Sequence, residues 1–491
     1  MEKSNIVMFV ADQMRSDALH HLGNQSSITP YMDQLAKEGI SFKNAYCQNP
    51  VCVPSRCSFL SGLYPHTTGH RTMHYLQRAY EQNIFREMKN NGYEVIWIGR
   101  NDLLMPGLSK EEYCDKFYNG VDEFIHMEDL EKYKYPTCDY DTPDIMKDDN
   151  IYSFYHGCLD KEQAKKTFDW NCVNTAIHYL KQRSKESKKP FFLYISVLFP
   201  HPPYECEEPW FSSIDRNHLP PRRSDIDNIE KPSMLKDIRQ KQQLHDWDEC
   251  KFNELRATYL AMVSRFDHQA GMLCDTLKSL KLYDDTNIFI FSDHGDYTGD
   301  YGIVEKVQNC FDDPICNVPL IIKPAKQNTK EIGVCKDVVE LVDIPSTLAD
   351  IAGFSLSYTQ FGESLMKYFR GEKREKDIVL CEGGRLSKEE QAMEKGHGKE
   401  SPYWPRLSTQ EEEGAQHTKA VMIRKNNIKY VLRLYEEDEL YDLNNDPMEL
   451  HNLIHEDAYH QVASDMRYCL LKRLFETSDI VPVVEDQRLN W

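Results

Sequence analysis

Long hydrophobic runs, paired cysteine motifs and positive charge are all scarce in this 491-residue sequence. No apolar run approaches the roughly 18–20 residues that a membrane-spanning helix needs, so a transmembrane protein is not expected. Acidic residues (79) outnumber basic residues (59), which gives a formal net charge of −20. Because nucleic acids and anionic membrane surfaces bind clustered Lys and Arg, neither is expected as a partner.

The cysteines and the N-terminus bear on the cellular compartment. There are 15 cysteines, an odd number, and they form neither a CxxC pair nor an even disulfide framework. The first apolar run covers only residues 6–10, which is too short for the apolar region of a signal peptide. We therefore expect free thiols and a cytoplasmic protein.

The hydrophobic content is sufficient for a large folded core. Hydrophobic residues make up 40% of the chain, and a single core seldom grows beyond about 250–300 residues, so two domains are expected. Short apolar runs alternate with helix-like stretches, which is typical of a parallel sheet covered by helices. The predicted strands are 5–10, 94–98, 191–197, 287–291 and 318–322, and the predicted helices are 31–38, 83–90, 161–185, 254–280 and 343–352.

The pattern changes in the C-terminal part of the chain. Residues 420–424 and 429–434 predict a hairpin, and residues 461–476 predict a closing helix. The Pro-rich, charged stretch 202–248 is predicted to be a long surface loop. We therefore predict an α/β domain over residues 1–365, with a mostly parallel sheet flanked by helices. A smaller α+β domain with a small antiparallel sheet follows over residues 366–491.

Polar residues follow four of the predicted strands, where ligands bind in α/β sheets. The sets are Asp12 and Gln13, then Arg100, Asn101 and Asp102, then His201, and finally Asp293 and His294. Asp12, Gln13, Asp293 and His294 predict a divalent metal site. Carboxylate and amide oxygens suit Ca²⁺, Mg²⁺ or Mn²⁺, and an imidazole favours Mn²⁺. The alternative is that Asp12 caps a helix and residues 293–295 form a turn.

A candidate nucleophile lies in the segment that runs from Cys52 to Gly62. Cys52 precedes a predicted helix, where backbone N–H groups and the helix dipole favour an anion. Arg56 follows one helical turn later and would face the same site. A nucleophile beside a guanidinium suits attack on an anionic ester. The alternative is a loop with a proline at a helix start and two ordinary cysteines, Cys52 and Cys57.

The same segment, Cys52-x-Pro54-Ser55-Arg56 with Ser61-Gly62, resembles the active-site motif of the type I, formylglycine-dependent sulfatases of the alkaline phosphatase superfamily. Other segments resemble landmarks of this family in the family's order, over essentially the whole chain. They are Asp12-Gln13-x-Arg15, Thr29-Pro30, Pro200-His201-x-Pro203, Ser292-Asp293-His294-Gly295, and residues 439–443 with Asp446-Pro447.

The resemblance implies an alkaline-phosphatase-like fold and oxidation of Cys52 to Cα-formylglycine by a formylglycine-generating enzyme. One oxygen of the hydrated aldehyde would attack sulfur and expel the alcohol, and the other would drive the elimination of sulfate. Arg56 would hold the hydrated aldehyde, His201 would protonate the leaving group, and Lys306 would bind the sulfate. The implied ligands of one divalent metal ion, for which we expect Ca²⁺ with Mn²⁺ or Mg²⁺ as alternatives, are Asp12, Gln13, modified Cys52, Asp293 and His294.

Two positions depart from the family pattern. Gln13 stands where many members have a second aspartate, which resembles a branch that includes phosphonate and phosphate diester hydrolases. The usual Gly-Lys-x-His strand end appears here as Gly99-Arg100-Asn101-Asp102. Arg100 can replace the lysine as an anion contact, whereas Asp102 cannot serve as a cationic histidine would.

A few further residues are candidates for the substrate pocket. Arg71 and His74, in a stretch that follows the active-site helix, could line it together with Asn101, and the alternative is a surface loop. The irregular stretch 383–417 could fold back over the site and bring sugar-binding groups, namely Trp404, Arg406 and His417. Cys47 and Cys57 are interpreted as packing residues.

We therefore expect a cytoplasmic sulfatase that acts on the end of a sulfated sugar such as a glycosaminoglycan fragment. One alternative is a phosphonate monoester or phosphodiester hydrolase that uses the same aldehyde. Another is a catalytically inactive protein that binds sulfated ligands. The sequence leaves the oligomeric state open, with a homo-oligomer among the outcomes.

Overall fold

A nine-stranded sheet forms the centre of the molecule, in a computed structural model that describes residues 3–120, 150–186, 189–226, 229–325, 333–411, 417–485 and 488. Its strands are β1 Asn5–Asp12, β2 Ile40–Tyr46, β3 Glu94–Gly99, β4 Lys116–Tyr118, β6 Phe191–Pro200, β8 Thr286–Ser292, β9 Asn317–Val318, β10 Leu320–Lys323 and β11 Gly333–Glu340. Their order across the sheet is β11-β2-β10-β8-β1-β6-β3-β4, and β9 pairs with β2. The predicted α/β class is confirmed.

The middle of the sheet is parallel and buried on both faces. β1 pairs in parallel with β6 on one side and with β8 on the other. Alternate residues of β1 enter two different hydrophobic clusters, with Met8 and Val10 in one and Val7 and Phe9 in the other. A near-continuous apolar strand is what burial on both faces requires. β10 runs antiparallel to both of its neighbours, β8 and β2.

Helices cover both faces of this sheet. They are α1 Pro30–Glu38, α2 Cys52–Ser61, α3 Pro65–Thr68, α4 Ile84–Asn90, α5 Lys161–Ala164, α6 Phe168–Glu186, α7 Trp210–Ser213, α8 Ser233–Gln242, α9 Glu249–Ser279, α10 Asp313–Cys316 and α11 Asp343–Ala352. The long helix α9 begins after Asp248, whose side chain accepts a hydrogen bond from the Lys251 N–H. None of the helices in the described ranges is long and apolar enough to cross a membrane.

The C-terminal part forms a second, antiparallel sheet. Its strands are β12 Ile378–Gly383, β13 Ala420–Lys425, β14 Ile428–Arg433 and β15 Glu439–Asp442, and its helices are α12 Met366–Arg370, α13 Trp404–Ser408 and α14 His460–Glu476. The predicted hairpin and closing helix are confirmed. The hairpin turns at Asn426, whose φ of +54° lies in the left-handed region that Asn tolerates. Tyr368 of α12 still packs on Phe42 of the central sheet.

Several predicted boundaries were wrong. The predicted surface loop 202–248 contains α7, α8 and the strand β7 Tyr204–Glu207, which pairs with β5 Tyr155–Leu159. It also buries Trp210 and Met234, so it is part of the core and not a surface insertion. The predicted strand 318–322 is divided at Pro319 into β9 and β10. The predicted helix 161–185 is likewise divided into α5 and α6, and β2 and β11 were not predicted.

Candidate active site

The polar residues that follow the central strands meet at one edge of the sheet, as the strand-end argument predicted. Ala11 of β1 lies opposite Ser292 of β8, so Asp12 and Asp293 are brought side by side. The backbone N–H of Asp293 donates to the Ala11 carbonyl at 3.3 Å. His201 and Arg100 follow the neighbouring strands β6 and β3. Sequence positions almost 300 residues apart therefore share one site.

Cys52 is the first residue of α2 and is 1% exposed. Pro54 lies within the first turn of this helix, where a missing N–H costs no hydrogen bond. At the other end, Gly62 adopts a left-handed conformation with φ +77° and ends the helix. The Cys52 Sγ lies 3.5 Å from Asp12 Oδ1 and 3.2 Å from His294 Nε2. The candidate nucleophile is thus held against the predicted metal ligands.

Four side chains in this site offer donor atoms that lie within 4.8 Å of one another, namely Asp12, Cys52, Asp293 and His294. The His294 Nδ1 donates to the Gly295 carbonyl at 3.0 Å, which leaves Nε2 to face the group. Burial lowers the pKa of His294, but Asp293 and the Cys52 sulfur outweigh this and raise it to about 10. The group thus attracts a cation, which is the property that a metal site requires.

Arg56 forms ion pairs with the carboxylates of Asp12 and Asp293 and so holds both in place. Its guanidinium lies 3.0 Å from Asp12 Oδ2 and 2.9 Å from Asp293 Oδ2, and it also donates to the Ser196 hydroxyl. Burial alone would raise the pKa of Asp12, but the guanidinium groups of Arg100 and Arg56 hold it far below its ordinary value. The carboxylate is therefore ionised and available to a metal ion.

Gln13 is fixed between an acid and a base. Its backbone lies in the left-handed region with φ +71°, and its N–H donates to Asp293 Oδ1 at 3.1 Å. Its Nε2 donates to Asp296 Oδ2 at 2.6 Å, and its Oε1 accepts from Lys306 Nζ at 2.8 Å. The amide therefore has a defined orientation, with its oxygen turned toward the cation that was predicted to bind sulfate.

Lys306 and His201 form a hydrogen-bonded pair next to Gln13. The Lys306 Nζ lies 2.9 Å from His201 Nε2, while His201 Nδ1 lies 2.6 Å from the Pro202 carbonyl. A carbonyl can only accept, so Nδ1 carries a proton and Nε2 accepts from the ammonium. Burial and the Lys306 charge both hold the pKa of His201 well below its ordinary value. His201 is therefore neutral, and the proton in the contact between Lys306 Nζ and His201 Nε2 lies on Lys306.

The third strand end supplies one partly exposed guanidinium and two residues that make local contacts. Arg100 lies 2.6 Å from Asp12 Oδ2 and 2.6 Å from Asp102 Oδ2, and a quarter of its side chain is exposed. Asp102 therefore pairs with this arginine and takes no part in holding an anion. The Asn101 side chain bonds to both backbone groups of Leu104, at 3.0 and 3.1 Å, and so fixes the local turn.

Two buried carboxylates at the site, Glu305 and Asp296, were not singled out from the sequence. Glu305 Oε1 lies 2.8 Å from Lys306 Nζ, and Oε2 lies 3.4 Å from Arg406 Nε. The Tyr204 hydroxyl accepts from the Glu305 N–H at 3.0 Å, which supports its left-handed backbone of φ +68°. Asp296 follows the same strand end as Asp293, a signal that could have identified it. Nothing in the sequence around Glu305 indicates its role.

The other candidate substrate residues are placed unevenly. Arg71 is bound by Glu389 at 2.7 Å, and His74 is exposed. The stretch 383–417 does reach the site, because Arg406 of α13 pairs with Glu305. Trp404 instead packs against Tyr152, and His417 lies 3.3 Å from the Gln308 side chain. Of these residues, Arg406 contacts Glu305, the neighbour of Lys306.

These features define a class of enzyme. A mostly parallel sheet that carries a nucleophile position, two carboxylates and an imidazole at one edge suits the hydrolysis of anionic esters, as in enzymes with the alkaline-phosphatase-like fold. The solved structures agree on the fold. A phosphonate monoester hydrolase of Agrobacterium radiobacter matches with a TM-score of 0.73 and 20% identity, over 97% of this chain and 96% of that one. A 2-O GAG sulfatase matches with a TM-score of 0.70 and 21% identity, over 97% and 93%.

The sequence comparisons narrow the class to one family. The sulfatase family model matches residues 4–354. An arylsulfatase of Clostridium perfringens is 28% identical over 498 residues, which cover 96% of this chain and 94% of the relative. The chain therefore belongs to the sulfatase family of sulfuric ester hydrolases.

Proposed function

We propose that this protein hydrolyses the sulfate ester of a sulfated sugar, using a formylglycine made from Cys52 and one divalent metal ion. The observation that carries the proposal is the position of Cys52, whose Sγ is one of the four clustered donor atoms at the sheet edge. Membership of the sulfatase family supports the reaction class. The 2-O GAG sulfatase among the structures with this fold supports a glycosaminoglycan fragment as substrate. Attack at its end is proposed because a cytoplasmic enzyme would meet short imported fragments.

The donor set suits the implied groups. Asp12, Asp293 and His294 would hold the metal, with the modified side chain of residue 52 and the Gln13 amide oxygen as further candidates. Two carboxylates, one imidazole and an amide suit Ca²⁺, with Mn²⁺ or Mg²⁺ as alternatives. When bound, the metal and the hydrated aldehyde supply a nucleophilic oxygen and positive charge for the sulfate oxygens.

The residues of the chain then orient and neutralise the ester. Arg56 follows residue 52 by one turn of α2 and is held by Asp12 and Asp293, and it would hold the hydrated aldehyde. Arg100 and Lys306 would contact the sulfate oxygens, and fixed cations in a water-poor site stabilise charge there more than water does. Hydrolysis of the ester by water yields an alcohol, sulfate and one proton.

The leaving alkoxide needs a proton, and the structure supports the Lys306–His201 pair as its source. The ammonium of Lys306 donates to His201 Nε2 at 2.9 Å, so a proton can pass along this contact to that nitrogen. His201 would then act as the leaving-group acid by donating the same proton from Nε2 to the leaving oxygen, once the Lys306 amine has moved aside. The Pro202 carbonyl fixes the ring orientation that this requires.

A phosphonate monoester or phosphodiester is the second candidate substrate. Gln13 favours it, because a glutamine in place of the second aspartate resembles the branch of the family that includes phosphonate and phosphate diester hydrolases. The fold is also shared with a phosphonate monoester hydrolase. Maturation by a formylglycine-generating enzyme and a cytoplasmic location complete the proposal.

The test is the mass of the tryptic peptide that contains Cys52, from protein made together with a formylglycine-generating enzyme. We expect the mass change of thiol to aldehyde, and release of sulfate from aryl and sugar sulfates exceeding cleavage of an aryl phosphonate. Cys57→Ala is the matched control, because Cys57 is buried in the same helix but is not among the four clustered donors. An unmodified thiol in fully active protein would overturn the mechanism, and a preference for the phosphonate would select the second candidate.

A further inference from the structure

Three cysteines that are far apart in the sequence meet in the core, and none of them belongs to the four clustered donors that include Cys52. Cys47 follows β2, Cys316 ends α10, and Cys381 lies in β12 of the C-terminal sheet. Their Sγ atoms all lie within 4.8 Å of one another, and those of Cys316 and Cys381 are 3.4 Å apart. We call these three residues the thiol cluster. Their spacing in the sequence gives no metal-binding pattern, so only the fold reveals them.

The thiol cluster is closed to solvent and all three of its cysteines are unbridged. Each of its residues is 0% exposed. Apart from their contacts with one another, the sulfurs make weak contacts to backbone carbonyls, from Cys47 to Ile315 at 3.8 Å and from Cys316 to Cys310 at 3.9 Å. Sulfur is a poor hydrogen-bond partner, so these contacts stabilise the arrangement little. The three sulfurs instead lie close enough to one another, within 4.8 Å, to bind one ion together.

We propose that the thiol cluster binds one thiophilic metal ion, Zn²⁺ or Cu⁺, as a structural site. Thiolate ligands select these ions over the hard cations that suit the carboxylates near Cys52. Zn–S bonds of about 2.3 Å place neighbouring sulfurs roughly 3.8–4.0 Å apart, within the spacing that the cluster already has. Structural Zn²⁺ sites use four ligands, so Zn²⁺ would need one donor beyond the three sulfurs, whereas Cu⁺ accepts three thiolates. Binding would release the thiol protons to solvent.

The electrostatics of the cluster agree with this geometry. Burial raises the pKa of Cys47, but hydrogen bonds from Cys316 and Cys381 overcome it and leave the pKa well below its ordinary value. Burial raises the pKa of Cys316 and that of Cys381 well above the ordinary value. Negative charge is thus favoured on the Cys47 sulfur, while the binding of a metal ion would require Cys316 and Cys381 to release their protons.

A metal at this position would connect the two sheets. Cys381 belongs to β12, and the neighbouring Glu382 N–H donates to the Gln48 carbonyl at 2.9 Å. Cys47 lies five residues before Cys52, at the turn that leads into α2. The ion would thus fix the entry to the active-site helix against the C-terminal sheet. Because the site is closed, it would be filled while the chain folds.

The test is the metal content of the full-length protein, produced in medium supplemented with Zn²⁺ or with copper and measured by mass spectrometry after desalting. We expect one equivalent of Zn or Cu per chain that persists in Asp12→Asn, which removes a carboxylate of the other donor group. The same equivalent should persist in Cys274→Ala, a buried cysteine outside the cluster, and should be lost in Cys381→Ala. Equal metal content in Cys381→Ala, or none in the unsubstituted protein, would overturn the proposal.

A second measurement keeps the test decisive if Cys381→Ala does not fold. The Cys52→Ala protein, which keeps the thiol cluster, is refolded with Co²⁺ in a reducing buffer. Three thiolate ligands should give strong near-ultraviolet charge-transfer absorption, and added Zn²⁺ should remove it. A spectrum with no thiolate-to-cobalt band would show that the three sulfurs do not bind a metal together. Neither readout depends on sulfatase activity, so failure here leaves the proposed function untouched.

Discussion

The buried carboxylate of Glu305 should determine how much negative charge the site accepts. It lies 2.8 Å from the Lys306 ammonium, which also donates to the Gln13 amide oxygen. A sulfate monoester carries one negative charge, whereas a phosphate monoester carries up to two near neutral pH. The Glu305→Gln substitution removes a negative charge and retains the shape of the side chain. We therefore expect it to favour the phosphate monoester over the sulfate.

The size of the effect follows from the geometry of the contact. An ester oxygen hydrogen-bonded to Lys306 would lie about 5 Å from the Glu305 carboxylate, since two contacts of about 2.8 Å join them. At an effective dielectric constant of about 20, one extra charge at that distance costs about 3 kcal/mol. This corresponds to about a 100-fold change in relative rate. Water at the mouth of the site reduces the figure, so a change of at least about tenfold is expected.

The assay is the ratio of kcat/KM for an aryl phosphate to that for the matching aryl sulfate, in each variant. A ratio cancels any general loss caused by weaker positioning of Lys306. Glu394→Gln is the control, because Glu394 touches Arg406 at 3.4 Å and is not in contact with Lys306. The reasoning is refuted if Glu305→Gln leaves the ratio unchanged or lowers it, or if Glu394→Gln raises it equally.

Four further outcomes test the site and the fold. Cys52→Ala should abolish turnover with an unchanged melting temperature, and residual activity would count against the nucleophile. His201→Ala should slow alkyl sulfates much more than activated aryl sulfates, and equal losses would remove it from proton transfer. Burial raises the pKa of Asp300, but Arg15 and Arg223 outweigh it and lower the pKa from 3.8 to about 2. The ionised carboxylate therefore stabilises the fold fully above pH 3.8, and this stabilisation is lost as the pH falls through 2. Asp300→Asn should therefore cost about 2 kcal/mol of unfolding free energy at pH 7, a difference that denaturation below pH 2 should no longer show. Chelation of the metal should weaken inhibition by inorganic sulfate as well as turnover.

The sequence was sufficient to predict the central sheet and its functional edge. Runs such as residues 5–10 and 287–291 are apolar throughout, because β1 and β8 are buried on both faces. Asp12 and Asp293 could be expected to meet because strand ends share one edge. β2 was missed since its middle residues, Lys43 and Asn44, are polar and partly exposed, and this hides its period.

The details of the site could not be predicted, because they depend on contacts between distant segments. The pairing of Glu305 with Arg406 joins residues about 100 positions apart, and neither residue belongs to a recognisable motif. The 202–248 stretch looked like a loop by composition, yet Trp210 and Met234 are buried in it. The frequency of proline and charged residues indicates where its short helices and strands end, but not which residues between those ends are buried.

The charge balance at the site explains how a protein with a net charge of −20 can bind an anionic ester. The cations that face the site are already paired, Arg56 and Arg100 with Asp12, and Lys306 with Glu305. The protein side chains alone therefore offer little net positive charge to a sulfate. A divalent ion would supply the missing charge at the point where the carboxylates of Asp12 and Asp293 converge. Because the carboxylates neutralise the cations of the site when no metal ion is bound, the binding of an anion would depend on the metal.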